Sequence, residues 1–449
     1  MPGIRIRTAS WSVSRYSERV HDELLQRHRA VMPSWQSLYY EHPISIVSGQ
    51  GCEVVDTDGN RYLDLFGGIL TTMTGHAIPE IVDAIHEQAS KIAHTSTLYL
   101  SEPLVALAER IAALSHIPDA RVFFTTSGTE ANDAALLMAT SYRRSNQVLA
   151  LRNSYHGRSF STMAVTGNRS WSASSLSGLA VSFVHGGYRL RSPFRDLDDA
   201  DYTAACVQDL HDVIDMTTSG DVACMIAEPI QGVGGFATPP DGFFGAMKKA
   251  LEEYGIVFIA DEVQTGWGRT GDHFWGYEAH GIVPDVVTFA KGIANGLPLG
   301  GVVARAEIMS AVGANSISTF GGNPVAVAAA TANLSYLLDH DLQGNARRVG
   351  AHMKIRLQAV ATRHPWIAEV RGRGLMLALE IVQPGSIVPD APAATAVLEA
   401  ARANGVLLGK GGLYGNVLRI SPPLSITMAE ADHGVDAIEA ALDTVAILR

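Results

Sequence analysis

Three short segments of this 449-residue chain place reactive or charge-holding side chains where a strand hands over to a loop or helix. Val122–Phe124 reads as a buried strand, and Thr125-Thr126-Ser127-Gly128-Thr129-Glu130 carries it into a helix. The free N–H groups and positive dipole end of that helix, with Gly128 allowing close backbone approach, suit an anion such as a phosphate. Ser127-x-x-Glu130 reads equally as a capping box. Val257–Ala260 delivers Asp261 to its own end, and a carboxylate buried there needs a cation or a strong donor, such as a protonated ring nitrogen. A turn or helix-capping aspartate is the other reading. Val286–Ala290 delivers Lys291, flanked by Ala290 and Gly292. Four of the other five lysines (Lys91, Lys248, Lys249, Lys354) fall on amphipathic helical patterns, and Lys410 falls in a glycine loop. A lysine in apolar surroundings has its ammonium disfavoured, which makes it a usable amine nucleophile unless it snorkels to the surface.

Together, a phosphate cradle, an acid for a ring nitrogen and a Schiff-base lysine are the parts that hold pyridoxal phosphate. A competing signal is Gly266-Trp267-Gly268-Arg269-Thr270-Gly271, which formally matches G-x-G-x-x-G. Asp261–Thr265 intervene after the strand and Asp272-His273-Phe274 is a poor helix start, so the dinucleotide reading fails its context.

The elements that would position these residues alternate. Helix-period segments (Ile81–Ile92, Leu104–Leu114, Glu130–Tyr142) separate short apolar runs (Val122–Phe124, Val148–Leu151, Met225–Ala227, Val257–Ala260, Val286–Ala290). Such runs predict strands buried on both faces of a mainly parallel sheet, with ligands beyond the strands' carboxyl ends. Before them, Glu53–Leu65 reads as two strands around an Asp58-Gly59-Asn60 turn. After them, a helix over Pro324–Asp339 and further elements at Gly372–Ile381, Thr395–Asn404 and Leu418–Ile420 predict a second, smaller unit.

Composition excludes several classes. Hydrophobic residues at 47% and charged residues at 18% exclude disorder. The uncharged stretch Ile308–Leu338 contains Asn315, Ser316, Gly321, Gly322 and Pro324, which argues against a membrane span. A net charge of −11 repels nucleic acid. Three scattered cysteines make neither a disulfide framework nor a zinc site, and a cytoplasmic location is expected. Residues 1–17, with Arg5, Arg7 and Arg15 and no acid, read as an N-terminal arm or a faint organellar presequence.

Further segments carry a family likeness: Gly75-His76 before Pro79, Ser127–Asn132, Tyr155-His156-Gly157-Arg158, Ala227–Gly232, Ala260–Gly271, Ala290–Gly292, Thr319–Pro324 and Val417–Ile420. The chain resembles, along nearly its whole length, the class III (ω-) aminotransferases of fold type I. Gly268–Gly276 is most similar to the alanine–glyoxylate aminotransferase and phospho-lyase subgroup. The resemblance implies a large α/β domain over 76–325 with a mainly parallel seven-stranded sheet. A smaller α+β domain would come from both chain ends (1–75, with an N-terminal arm, and 326–449).

The resemblance also implies roles. Lys291 would form the Schiff base and shuttle the proton, and Asp261 would keep the pyridine nitrogen protonated. Gln264 would donate to the ring O3′. Val263 and Tyr155 would cover the two ring faces, with His156 nearby. Ser127, Gly128 and Thr129 would hold the phosphate, and Thr319 would reach the phosphate of a neighbouring subunit in a homodimer or tetramer. Arg419 would fork the substrate α-carboxylate, and Glu228 would pair with Arg419 when a substrate has none. Arg158 would hold a distal carboxylate, or is an exposed loop arginine. The implied reaction moves an amino group from a primary amine, ω-amino acid or alanine to pyruvate, glyoxylate or 2-oxoglutarate. The alternative is a phospho-lyase or ammonia-lyase acting on a phosphorylated amino alcohol.

Overall fold

The computed structural model describes residues 22–447; the presequence-like composition of residues 1–17 lies outside them. The apolar runs do become strands: β4 (Ala120–Thr125), β5 (Gln147–Leu151), β7 (Cys224–Ala227), β8 (Val257–Asp261) and β9 (Val286–Phe289). With β6 (Ala180–Val184) and β10 (Gly300–Arg305) they form a seven-stranded sheet in the order β4-β10-β9-β8-β7-β5-β6. From β9 to β6 every pairing is parallel, and every residue of β7, β8 and β9 is buried. Both faces are covered, which is why these strands are continuously apolar.

β10 runs antiparallel to both β4 and β9. Its two leading glycines disguise it in the sequence, yet they are what let it fit. A Cβ on Gly300 would stand 2.9 Å from the Ser127 carbonyl oxygen and 3.0 Å from that of Phe289. One on Gly301 would meet the Phe289 ring at 2.6 Å. β6 escapes notice for another reason: it is the sheet's outer strand and is only partly buried.

Helices begin slightly earlier than hydrophobic periodicity suggests. Pro79–Lys91 and Glu102–Leu114 each carry proline in the first turn, and Gly128–Arg143 is capped by Ser127. Pro324–Asp339 matches its expected span. Among the described residues no helix is long and apolar enough to cross a membrane.

Two four-stranded sheets complete the frame. β2 (Glu53–Asp56) and β3 (Arg61–Asp64) surround the expected turn, where Asp56 Oδ1 accepts from the backbone of Asp58 and Asn60 at 2.9 Å. β1 (Ile46–Gln50) flanks β2, while β13 (Val406–Leu407) pairs in parallel with β3 and so joins the two chain ends. The third sheet has the order β11-β12-β15-β14. The expected single element Gly372–Ile381 is in fact a hairpin of β11 (Ile367–Arg373) and β12 (Met376–Ile381), hinged on Gly374 at φ +53°. β15 (Val417–Ile420) lies between β12 and β14 (Gly409–Gly411) and carries Arg419. One continuous apolar cluster runs from Leu63 and Ile81 through Phe289 to Leu442.

Gly300→Ala forces a methyl against two backbone carbonyls beneath the Ser127 turn. It is expected to destabilise the protein by about 1–3 kcal/mol, measured as a shift in the denaturant midpoint.

Candidate active site

Five strands of the large sheet end at one place. Ser127 follows β4, Tyr155 and His156 follow β5, Glu228 follows β7, Asp261 closes β8 and Lys291 follows β9. A cleft of about 560 Å³ there is lined by eleven of the thirteen residues expected from the sequence. Arg419 and Thr319 are not among its lining.

Asp261 is buried and fully engaged. Its Oδ2 accepts from His156 Nδ1 at 2.7 Å and from Asn132 Nδ2 at 2.8 Å, and its Oδ1 accepts from the Val263 N–H at 3.1 Å. Asn132 is committed on every side: it also donates to the His156 carbonyl and accepts from Thr288 Oγ1 at 2.6 Å. These donors replace the water that a buried carboxylate loses. Asn132 and Thr288 were missed as site residues. The available signal was an amide on the otherwise apolar face of Ala131, Ala135, Leu136 and Ala139. His156 spends Nδ1 on Asp261, and its buried Nε2 has no partner in the protein.

Lys291 opens a short 3-10 turn at φ +48°, a left-handed conformation uncommon for lysine and typical of strain retained at a working site. Burial pulls its ammonium below the ordinary lysine value. Asp261 and Glu228 oppose that shift and Arg419 adds to it. Four of the other lysines sit on the helices where the sequence placed them, while Lys410, expected in a glycine loop, lies on β14. Lys91 and Lys248 pair with glutamates on helix surfaces, Lys354 donates to the Gly372 carbonyl, and Lys410 donates to Thr395.

Ser127 caps helix Gly128–Arg143 by accepting from the Glu130 N–H at 3.2 Å. The capping box is only half formed. Glu130 reaches instead to the Thr126 N–H and hydroxyl at 2.8 Å and to Ser318 at 2.6 Å. The N–H groups of Gly128 and Thr129 belong to the first turn and have no intrahelical acceptor. Glycine is needed at two places around them. A Cβ on Gly128 would stand 3.0 Å from Val263, and Gly157, at φ +142°, would put one 2.7 Å from Thr129 Oγ1.

The far end of the site is organised around Gly232. Glu228 and Arg419 do not form an ion pair; the peptide of Gly232 stands between them. Glu228 accepts from the Tyr155 N–H at 2.9 Å and the Gly232 N–H at 2.8 Å. Arg419 donates to the Gly232 carbonyl at 3.3 Å and the Lys410 carbonyl at 3.1 Å, and its guanidinium lies 4.9 Å from the Phe66 ring centre. With no cation in contact, burial pushes the Glu228 carboxyl up to about 7, against pulls from His156 and two backbone N–H groups. Arg158 is exposed at the rim, with no ion pair among the described residues. Thr319 is exposed outside the cleft, beside Ile317 and Phe320. The segment 266–271 runs as turns and opens no helix; Arg269 is buried there against the carbonyls of Leu375 and Pro422.

The family model for aminotransferase class III matches residues 36–442. The chain belongs to that family. It is 40% identical over 422 residues to the mitochondrial alanine–glyoxylate aminotransferase 2 homolog 2 of Arabidopsis thaliana, covering 93% of this chain and 87% of that one. It is 35% identical to the 5-aminovalerate aminotransferase of Pseudomonas putida, covering 94% and 98%. An amine transaminase from an uncultivated Pseudomonas species, solved with pyridoxal phosphate bound, superposes with a TM-score of 0.86 at 32% identity, over 92% and 98% of the two chains. The fold is therefore that of the fold type I transaminases, and the enzyme is a pyridoxal-phosphate-dependent aminotransferase. The residues present suit that cofactor. The cleft offers an amine, an anchored carboxylate and a helix N-terminus, and His156 Nε2 and Gln264 Oε1 are buried there without protein partners.

Because the Glu228 carboxyl is raised in the folded protein, its contribution to stability is complete below about 4.5 and is lost as pH rises through about 7. The parent is therefore expected to lose stability relative to Glu228→Gln across that window, read from urea midpoints at pH 4.5, 6 and 8.

Proposed function

We propose that this aminotransferase moves an amino group from a primary amine, an ω-amino acid or alanine to an α-keto acid such as pyruvate, glyoxylate or 2-oxoglutarate. One observation carries the reading: a left-handed, half-buried Lys291 and an Asp261 anchored by His156 and Asn132 meet in one cleft beside a helix N-terminus. Bound there, pyridoxal phosphate supplies an aldehyde that takes up the amino group and a ring that accepts the electrons of the broken C–H bond.

The chain's own groups divide the remaining work. Lys291 would hold the cofactor through its amine, and the same Nζ would carry the proton taken from the substrate carbon. Its depressed basicity keeps an uncharged amine within reach for both tasks. Asp261, fixed by its donors, keeps the ring nitrogen protonated. Gln264 would donate to the ring hydroxyl oxygen, and Val263 and Tyr155, which line the cleft, would pack against the ring. Ser127, Gly128 and Thr129 receive the phosphate at the helix N-terminus.

Arg419, whose guanidinium lies 4.9 Å from the Phe66 ring centre, would turn its planar fork to a substrate carboxylate. Glu228, which shares Gly232 with that arginine, takes up contact with it when the substrate carries no carboxylate. The unpaired Arg158 at the rim supports binding of a distal acid. The names of the relatives, which span alanine–glyoxylate, 5-aminovalerate and amine transamination, support this breadth of donors.

We read the working form as a homodimer with shared sites. Thr319 lies between exposed Ile317 and Phe320, whose ring meets His94 at 5.1 Å, and the segment beyond exposes Leu98, Tyr99 and Leu100. An uncovered apolar band beside a residue assigned to a neighbour's phosphate supports that assembly. Residues 76–325 then form the cofactor-binding unit, and the described residues of 1–75 and 326–449 form the smaller one. Three free, buried cysteines suit a reducing compartment, and a cytoplasmic location is the proposed one.

The protein purified with the cofactor should absorb in the visible, and mixing with an amine should convert it to the amino form of the cofactor, detected by the spectral shift. Lys291→Ala is expected to abolish both the visible band and turnover. Asp261→Asn should retain the cofactor and lower kcat by about 10²–10⁴-fold. Release of ammonia or phosphate without that spectral conversion would replace the transaminase reading with the lyase.

A further inference from the structure

Arg371, on β11, is a buried guanidinium with two separate engagements. Its Nη1 binds Glu380 at 2.6 Å and Glu369 at 2.7 Å, while its Nε donates to the Gly235 carbonyl at 2.8 Å. Glu380, fully buried on β12, is itself gripped by the Tyr188 hydroxyl at 2.8 Å and Arg191 Nη2 at 2.7 Å. The Arg371 guanidinium also lies 5.2 Å from the centre of the Tyr188 ring. Its anchor therefore cannot drift.

The other engagement points at the active site. Gly235 belongs to the turn 232–236, whose first residue serves both Glu228, through the Gly232 N–H, and Arg419, through the Gly232 carbonyl. The ring of Phe236, in the same turn, lies 5.5 Å from the Arg419 guanidinium. Three of the turn's five residues are glycine, and Gly235 sits at φ +94°. Such a backbone has little preference of its own. It is held from outside, by Asn153 on the Gly234 carbonyl at 3.0 Å, by the Gly412 N–H on the Val233 carbonyl at 2.9 Å, and by Arg371.

We propose that Arg371 is a positioning residue for substrate carboxylates. By holding Gly235, whose N–H donates to the Gly232 carbonyl at 3.1 Å, it fixes the carbonyl to which Arg419 donates and so sets the direction of the Arg419 fork. The inference rests on the reading of Arg419 as the carboxylate ligand. A lysine at 371 keeps a charge for Glu380 but lacks the rigid fork that serves Glu380 and Gly235 together.

The test uses the holoenzyme and its two half-reactions, followed by the cofactor's absorbance. Pyruvate serves as the carboxylate substrate and benzylamine as an amine without one. Arg371→Lys should weaken the apparent affinity for pyruvate about tenfold, as expected for loss of a charge-assisted hydrogen bond. The benzylamine half-reaction and the spectrum of the resting enzyme should stay near the parent's. In an Arg419→Lys background the Arg371→Lys penalty should vanish. Tyr188→Phe, which removes only one donor to Glu380, should give the same acid-selective change in smaller measure and serves if Arg371→Lys fails to fold. Equal losses with both substrates, no loss, or additive losses in the double variant would overturn the proposal. If Arg419→Lys alone leaves pyruvate affinity unchanged, the carboxylate role of Arg419 falls first, and this one with it.

Discussion

The charge on Asp261 is the constraint around which the site is built. A carboxylate at the end of a strand buried on both faces has lost its water, so the protein must return an equivalent set of donors. His156, Asn132 and the Val263 N–H do so, and each brings a different element with it: the loop after β5, the helix after β4 and the turn after β8. Asn132 in turn holds Thr288 of β9, two residues before Ala290. Solvating one side chain thereby registers four strand ends. Such networks are specific because a half-satisfied version would be costly in a low-dielectric interior.

The parts of the molecule that sequence patterning exposes are those whose side chains announce their surroundings. Continuous apolar strands, proline and serine at helix starts, and a lysine without an amphipathic helix to sit on are all of this kind. β10 is invisible by the same logic, because Gly300 and Gly301 work by having no side chain between two neighbouring backbones. Asn132 is masked by its neighbours, since an amide after Ser-Gly-Thr-Glu reads as part of a helix cap. Arg371 and Glu380 are masked by their charge, which reads as solvent-facing until a partner appears from a distant segment, here Tyr188 and Arg191. The separation of Glu228 from Arg419 is legible in no motif, because the group between them is a main-chain peptide.

The two ends of the cleft are stabilised differently. At the Ser127 end the contacts are local, among helix N-terminus, capping serine and close-packed glycines, and they follow from a short stretch of chain. At the Arg419 end, Arg419, Phe66 and the Gly232 turn come from three remote parts of the sequence and meet through backbone carbonyls and ring faces. Under the proposed roles, cofactor binding would rest on short-range geometry and substrate choice on long-range packing.

The parallel pairing of β13 with β3 has a consequence for biosynthesis. Val406 lies beside Leu63, so on the ribosome the N-terminal sheet waits for nearly the whole polypeptide before its last neighbour emerges. Until then β3 presents an open edge to other nascent chains, the situation in which slow, non-local folding exposes a protein to mispairing and makes chaperones useful.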